Sequence, residues 1–230
     1  MESNSLDKII SLKKEKLNSL KKQFNIDDLK NKIDKFEKYI DFKTPIENNV
    51  SHGKISLIAE IKKSSPSAGI IVENYNPLNI ASTYEKNKAT CLSVLTEENF
   101  FHGSLDHITE IKKKINLPIL CKDFFIDEFQ IPLAKSYGAD AILLIVAALN
   151  QSQLEELYNV ALEYKMSVII EVHTIEEAKK IYNFSDALIG INNRNLKTLK
   201  TDLNNTFEIY KILSNFNGIL ISESGFKNKD

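Results

Sequence analysis

The sequence has no tryptophan, only two cysteines and no long apolar segment. Its longest apolar run, Ala141–Leu149, is nine residues, whereas a helix that spans a membrane needs about 20. Cys91 and Cys121 lie inside apolar runs, which predicts two buried, inert thiols and suits a reducing cytosol. The amino terminus carries acidic residues early and has no apolar core, so we expect no secretory signal and a cytoplasmic protein.

The chain also lacks an excess of either charge. Its formal net charge is −1 and its pI is near 6.5, so no global field attracts nucleic acid or an anionic membrane. Ten lysines lie in residues 1–38, but acidic residues are mixed among them, which indicates a solvated helix face rather than a nucleic-acid arm. His52, His102 and His107 have no metal-ligand spacing with one another or with the cysteines. We therefore expect no metal, and neither nucleic acid nor a membrane as a partner.

Residues 1–40 have apolar side chains at helical spacing, which predicts helices. The pattern pauses at Asn25-Ile-Asp-Asp and then continues, so Asp27 or Asp28 is a candidate cap of a second helix. After Pro45 the rhythm changes, and short apolar runs alternate with amphipathic stretches. The seven runs are Ile55–Ile61, Ala89–Leu95, Leu117–Cys121, Ala141–Ala147, Ser167–Val172, Ala187–Ile191 and Gly218–Ile221. The helical stretches between and after them are Pro77–Lys88, Ser104–Ile115, Ile126–Tyr137, Gln151–Tyr164, Thr174–Phe184 and Asp202–Asn215.

Strands that are apolar on both faces and separated by single helices predict an α/β fold with a parallel sheet. Two architectures fit seven such units, a doubly wound sheet and a (β/α)8 barrel. No G-x-G-x-x-G follows the first run, which weakens a dinucleotide-binding sheet. All runs but the fourth end in polar or reactive side chains, as a barrel with its site on the carboxyl-terminal face requires. These side chains are Glu60 and Lys62, Thr96, Lys122 and Asp123, Glu171 and His173, Asn192 and Asn193, and Ser222, Glu223 and Ser224.

The stretch Ala59–Gly69 is the most informative part of the chain. Glu60 and Lys62 fall on one face of a strand end because side chains alternate along a strand, and a Ser/Pro/Gly loop follows them. An acid beside a base at such a position is typical of an active-site rim, although a surface ion pair has the same pattern. Ser65 and Ser67 add hydroxyl donors in the loop.

Two lysines and up to three glutamates at one barrel mouth shift one another's pKa values, so one can serve as an acid and another as a base. We expect a bell-shaped pH profile whose alkaline limb reports a lysine with a pKa lowered by its neighbour. Asn192 can orient a hydroxyl or an amine. Ser224 and Gly225 follow the seventh strand, where barrels commonly bind phosphate through backbone N–H groups. Asp123 and His173 are more simply explained as structural residues.

Six ordered segments resemble the indole-3-glycerol phosphate synthase family, and the resemblance covers residues 1 to about 226. They are AEIKKSSPSAG, SVLTEENFFHGS, PILCKDFFIDEFQI, EVHTIEEA, IGINNRNLKTLKTDL and ISESG. The resemblance implies a (β/α)8 barrel of tryptophan biosynthesis that needs no cofactor or metal. Its substrate would be 1-(2-carboxyphenylamino)-1-deoxyribulose 5-phosphate, and its products indole-3-glycerol phosphate, CO2 and water. It leaves open whether the chain associates with other enzymes of the pathway.

The resemblance also implies roles for individual residues. Lys122 would be the general acid at the ribulose carbonyl, and Lys62 would pair with the anthranilate carboxylate. Glu171 would act as a base or stabilise the cation that develops on the aniline nitrogen. The remaining implied site residues are Glu60 and Asn192 for the amine and hydroxyls, Glu223 for ordering the network, Ser65 and Ser67 in the first loop, Arg194 for orienting substrate, and Ser224 and Gly225 for phosphate.

The sequence stops where the family continues into an eighth strand and helix, so one βα unit is expected to be missing. We predict one barrel domain over residues 1–230, with a helical extension at 1–48 and strands one to seven at 49–230. Two other interpretations stay open. In the first, the chain is an incomplete, non-catalytic fragment of this enzyme. In the second, it is another phosphate-binding barrel such as phosphoribosylanthranilate isomerase.

Overall fold

The main sheet consists of parallel strands that follow the chain in order. The structure is a computed structural model that describes residues 5–196 and 198–226; residues 1–4, 197 and 227–230 of the predicted domain lie outside these ranges. Two short strands, β2 and β3, lie outside this sheet and pair with each other. All strands, in chain order, are β1 (Ile58–Ile61), β2 (Ser64–Ser65), β3 (Gly69–Ile70), β4 (Cys91–Leu95), β5 (Ile119–Lys122), β6 (Ala141–Ile145), β7 (Ser167–Val172), β8 (Leu188–Asn192) and β9 (Leu220–Glu223).

The order of the seven-stranded sheet, β1-β4-β5-β6-β7-β8-β9, never reverses. Each strand pairs in parallel with the next, for example Ile145 beside Glu171 and Asn192 beside Glu223. A doubly wound sheet would reverse its order at a switch point, so the predicted barrel architecture is confirmed. Within the described residues the sheet holds seven strands, with β1 and β9 at its edges.

The helices lie before the sheet and between its strands. They are α1 (Ser5–Gln23), α2 (Ile26–Asp34), α3 (Lys43–Ser51), α4 (Pro77–Lys86), α5 (Leu105–Lys112), α6 (Gln130–Ser136), α7 (Gln151–Glu163), α8 (Ile175–Ala178) and α9 (Asn204–Ile212), with 3-10 turns at Val146–Ala148 and Leu213–Asn215. No helix among the described residues has both the length and the apolar content needed to cross a bilayer.

Several local predictions were wrong. The cap of α2 is Asn25, whose side chain accepts from the Asp27 backbone N–H, so neither Asp27 nor Asp28 is the cap. Helix α3 was not predicted, and the residues just before it are not helical. The expected Thr174–Phe184 helix is limited to α8. The first predicted strand starts too early, because pairing with β4 begins at Ile58 and leaves Ile55 97% exposed.

The loop after β1 is also more ordered than the sequence indicated. Strands β2 and β3 form a short antiparallel hairpin, in which Ser65 pairs with Gly69. Gly69 has a φ of +64°, a left-handed conformation that glycine adopts without a Cβ clash. The hairpin therefore fixes the direction of a segment that composition alone marks only as a loop.

Alternating side chains divide the core between the two faces of the sheet. Ile142 and Leu144 of β6 pack outward under the helices, while Leu143 and Ile145 point into the barrel interior. Phe42, fully buried just before α3, packs with this inner cluster. Cys91 and Cys121 are free and buried, as predicted.

A buried ion pair joins the amino-terminal segment to the sheet. The Lys112 ammonium lies 2.5 Å from Asp140 Oδ2, and both side chains are almost completely buried. Asp140 also accepts the backbone N–H groups of Ile40 at 2.8 Å and Ile119 at 2.7 Å. Burial raises the pKa of Asp140 and lowers that of Lys112, while their mutual attraction opposes both shifts. One carboxylate thus ties the residues before α3 to the start of β5.

Replacing Asp140 with Asn should lower the free energy of unfolding by about 3–5 kcal/mol, because the change leaves the Lys112 charge buried and unpaired. Urea unfolding measures this loss. Asp186 is a matched control, because its side chain is 74% exposed and lies 3.7 Å from Lys43. Asp186→Asn should cost less than about 1 kcal/mol. Equal costs for the two variants would contradict this role of Asp140.

Candidate active site

A cavity of about 170 Å³ lies at the carboxyl ends of the parallel strands. The predicted site residues all line it except Glu223 and Gly225, and Glu223 lies directly behind Lys122. The sheet brings them together because residues at the carboxyl ends of successive parallel strands meet at one face. The predicted residues on its wall are Glu60, Lys62, Ser65, Ser67, Lys122, Glu171, Asn192, Arg194 and Ser224.

Glu60 bridges the two lysines. Its Oε2 lies 2.9 Å from Lys122 Nζ, and its Oε1 contacts Lys62 Nζ. The predicted placement of Glu60 and Lys62 on one face of the strand end is therefore confirmed. Burial alone would raise the pKa of Glu60, but Lys122 and Lys62 lower it to about 2. Glu60 is thus a fixed anion across the neutral pH range.

Lys122 lies among three carboxyl groups. Besides Glu60, Glu223 Oε2 is 3.3 Å from its Nζ, and Glu171 acts on it at longer range. Burial alone would lower the pKa of Lys122, but these three neighbours raise it above the ordinary value. The prediction of a lysine with a lowered pKa was wrong for Lys122, because anions outnumber cations around it. Its ammonium stays protonated in the free protein.

Glu171 and Glu223 share one hydrogen bond and hold different charges. Burial raises the pKa of Glu171, but His173, Lys122 and the contact with Glu223 lower it below the ordinary value. Burial and the Glu171 charge raise the pKa of Glu223 to about 7, against the attraction of Lys122. Below pH 7 the pair therefore carries one proton, held on Glu223, and this proton is lost as pH rises through about 7.

Gly190 makes room for Glu223. A Cβ at position 190 would collide with Glu223 Oε1, so any larger residue in the middle of β8 would displace this carboxyl. Gly190 was not among the predicted site residues, because a glycine inside an apolar strand run carries no chemistry of its own. Its signal is positional, since glycine in a strand interior often marks a close approach.

The ends of β8 and β9 are joined through asparagine side chains. Asn193 is buried, and its Nδ2 donates to Ser222 Oγ, Glu223 O and Ser224 O. Asn192 Oδ1 accepts from the Arg194 backbone N–H, and Arg194 Nη1 donates to Ser67 Oγ at 2.8 Å. These bonds link the last strand to the loop after the first strand across the cavity mouth.

Ser224 and Gly225 both adopt left-handed conformations, with φ values of +68° and +91°. Such a φ is uncommon and strained for serine, and strain of this kind concentrates at binding sites. Irregular turns of this type can turn successive backbone N–H groups toward one point, which suits an anion. Arg194 adds a positive charge on the same wall of the cavity.

Apolar side chains that were not predicted as site residues form the other wall. Phe101 and Phe124 lie with ring centroids 6.4 Å apart, and Leu6 and Ile9 of α1 face the same cavity. The buried Glu97 side chain accepts the backbone N–H groups of residues 99–101 and so fixes the loop that carries Phe101. A cavity lined by both apolar and charged side chains suits a ligand with an aromatic ring and anionic groups.

Three ion pairs hold α1 over the cavity. Lys13 Nζ lies 2.6 Å from Asp123 Oδ1, Lys16 Nζ 2.8 Å from Glu98 and Lys21 Nζ 2.7 Å from Asp127. Asp123 also accepts from Thr96 Oγ1, so it braces α1 against the sheet, as the structural interpretation predicts. Within residues 5–196 and 198–226 no group of three metal-binding side chains comes together.

The comparisons with known proteins agree with one another. A family model described as indole-3-glycerol phosphate synthase matches residues 6–230. A protein of that name from Prochlorococcus marinus subsp. pastoris is 45% identical over 99% of this chain and 78% of its own length. One from Alkaliphilus metalliredigens is 42% identical over 98% of this chain and 85% of its own length. The solved structure of 3-keto-L-gulonate-6-phosphate decarboxylase from Vibrio cholerae matches with a TM-score of 0.54 and 15% identity, over 74% of this chain and 79% of that one, and shows a shared fold alone.

The raised pKa of Glu223 predicts a stability change with pH. An acid whose folded-state pKa lies above its unfolded value loses stability as pH rises from the unfolded pKa, about 4.5, to the folded pKa of about 7. Glu223→Gln removes this charge and should raise the melting temperature at pH 8 while changing it little at pH 5. Differential scanning calorimetry at both pH values measures the difference.

Glu60→Gln is the matched control of opposite sign. The pKa of Glu60 is lowered to about 2, so its ionised form stabilises the fold above the unfolded pKa, and this stability is lost only as pH falls toward 2. This variant should lower the melting temperature at pH 8. A drop for both variants at pH 8 would show that Glu223 is held as a stabilising anion and that its pKa is not raised.

Proposed function

The chain belongs to the indole-3-glycerol phosphate synthase family, and we propose how its own residues carry out that family's reaction. The reaction is a decarboxylating ring closure in tryptophan biosynthesis, on the phosphorylated substrate 1-(2-carboxyphenylamino)-1-deoxyribulose 5-phosphate. The aromatic carbon that bears the carboxylate attacks the ribulose carbonyl carbon. CO2 then leaves the aromatic carbon. The former carbonyl oxygen, now a hydroxyl, is lost as water, which gives the indole ring.

Lys122 is the general acid of the ring closure. The observation that carries this assignment is the position of its ammonium at the cavity wall, 2.9 Å from Glu60 and 3.3 Å from Glu223. A protonated amine in this position can donate a proton to the carbonyl oxygen as the carbon–carbon bond forms. Lys62, on the other oxygen of Glu60, pairs with the substrate carboxylate and holds the ring carbon near the carbonyl.

The carboxyl groups around Lys122 serve the later proton transfers. Glu171 is the anion that stabilises positive charge on the aniline nitrogen as water leaves, and it is the base that takes one proton from the methylene carbon beside that nitrogen, so that the indole N–H is kept. Glu60 and Asn192 hold the amine and the sugar hydroxyls. Below its pKa of about 7, Glu223 carries its proton, which leaves Lys122 with one anion fewer and so makes it a better acid than full ionisation would.

The phosphate binds at Ser224 and Gly225. The support is the pair of left-handed residues at the end of β9, together with the positive charge of Arg194 on the same wall. Arg194 is held by Ser67, and Ser65 lies beside Ser67 in the hairpin loop, with 3.4 Å between the two hydroxyls. The aromatic ring of the substrate packs against Phe101 and Phe124.

Residues 1–48 serve as a helical extension of a barrel domain at 49–230, and the protein acts in the cytoplasm. The support for the extension is the set of ion pairs that hold α1 over the cavity, with Leu6 and Ile9 on its wall. Three of the amino-terminal lysines, which from composition alone could bind nucleic acid, are engaged in these ion pairs. This favours a structural role for the three lysines.

A phosphoribosylanthranilate isomerase is the weaker candidate. That chemistry would be expected to use a cysteine and an aspartate as base and acid. Cys91 and Cys121 are buried, and burial raises the pKa of both thiols, that of Cys91 to about 12. Neither is a competent base at neutral pH.

Two lysine variants separate the proposed roles. Lys122→Met should lower kcat by about 10²–10⁴-fold and keep KM within about tenfold, because a general acid acts in the transition state. Lys62→Met should instead raise KM by at least about tenfold, because it removes a charged partner of the bound carboxylate. The fluorescence of the indole product measures both constants.

Lys211→Met is the control, because Lys211 is exposed and pairs only with Glu208 among the described residues. It should keep the activity of the unchanged chain. The assignment fails if Lys122→Met retains most of its kcat while circular dichroism shows a folded protein. An unchanged chain without activity would favour the interpretation as a non-catalytic fragment.

A further inference from the structure

His173 forms the middle of a row of three titratable groups behind the cavity. It follows β7, and its ring is buried. Its Nε2 lies 3.1 Å from Glu171 Oε1, and its Nδ1 lies 3.5 Å from Glu177 Oε2. Each ring nitrogen therefore faces one carboxylate, and hydrogen bonding and charge attraction together hold the imidazole between the two. The carboxylates keep the imidazole protonated and raise its pKa to about 9 against the effect of burial.

The ring of His173 is not what holds the local backbone in place. The His173 backbone N–H donates to Glu177 Oε2 at 2.6 Å, and its carbonyl accepts from Asn205 Nδ2 at 3.1 Å. Thr174 caps α8 through the Glu177 N–H. The turn between β7 and α8 is therefore satisfied by backbone and neighbouring side chains, and the imidazole is free to act on Glu171.

Glu171 and Glu223 compete for one proton, and each lies beside a different cation. Lys122 Nζ is 3.3 Å from Glu223 Oε2 and acts on Glu171 at longer range. His173 touches Glu171 and makes no contact with Glu223 among the described residues. A cation in contact with a carboxyl group favours its ionised form, so His173 favours the anion on Glu171, whereas Lys122 favours it on Glu223.

We propose that His173 is a positioning residue for the reaction, which holds Glu171 as the carboxylate and so leaves the shared proton on Glu223. The inference rests on the role proposed for Glu171. The charged groups that face the imidazole are Glu171 from β7 and Glu177 from α8, while α9 contributes the neutral amide of Asn205. With a neutral side chain at position 173, the shared proton lies on Glu171 in a larger fraction of the molecules. In those molecules Glu171 cannot act as a base or as an anion.

The direct test is 13C NMR of the glutamate carboxyl groups in the whole chain, with the signals assigned by Glu171→Gln and Glu223→Gln. In His173→Asn and His173→Phe, the titration midpoint of Glu171 should rise by about one pH unit or more. The acid limb of kcat/KM should move up by a similar amount, with KM changed less than about threefold, because the positions that bind substrate are untouched. His107→Asn is the control, since His107 of α5 packs against Tyr75 and does not line the cavity.

An unchanged Glu171 titration in folded His173 variants would overturn the inference. A shifted titration with an unchanged pH profile would uphold it and would instead refute the proposed role of Glu171 in the reaction. If both His173 variants unfold, Glu177→Gln decides, because it removes one of the two charges that keep the imidazole protonated. That variant should move the Glu171 midpoint in the same direction by a smaller amount, and an unchanged midpoint would again overturn the inference.

Discussion

The attraction between the Lys122 ammonium and the carboxyl groups around it is the interaction on which the site depends. A buried lysine alone would lose its proton, and a buried group of three glutamates would take protons up. Placed together, they keep Lys122 charged and Glu60 and Glu171 ionised at pH 7, and they keep Glu223 neutral up to a pKa of about 7. The same cluster therefore supplies a proton donor, two anions and a neutral acid within one cavity.

The rest of the fold serves to hold these groups at close range. Parallel strands in unreversed order bring the ends of β1, β5, β7 and β9 to one face. Gly190 leaves the space that Glu223 occupies, and Asn193 ties the end of β9 to β8. Helix α1 covers the cavity through ion pairs, and the buried Lys112–Asp140 pair anchors the segment that follows it. Buried charged groups that repel one another need such fixed supports, because they would otherwise move apart or become exposed to water.

The strands and the polar residues at their ends could be predicted from sequence, because both signals are local. An apolar run marks a strand, and side-chain alternation along it places residues such as Glu60 and Lys62 on one face. What could not be predicted depends on contacts between distant segments. The non-helical conformation at Ile40 depends on Asp140, which lies 100 residues later and accepts the Ile40 N–H. The pKa of Lys122 depends on how many carboxylates converge on it, and the role of His173 on which carboxylate it touches. Neither the number of carboxylates around Lys122 nor the contact partner of His173 can be predicted from the local sequence pattern.

The chemistry of the site depends on where the protons of this cluster lie, and neutron diffraction from crystals of the deuterated chain at pD 6 and pD 8 measures this most directly. We expect three deuterons on Lys122 Nζ at both values, none on Glu60 or Glu171, and a deuteron on Glu223 at pD 6 that is largely lost at pD 8. A neutral Lys122, or a deuteron on Glu171 at pD 6 with Glu223 ionised, would contradict this placement of the protons.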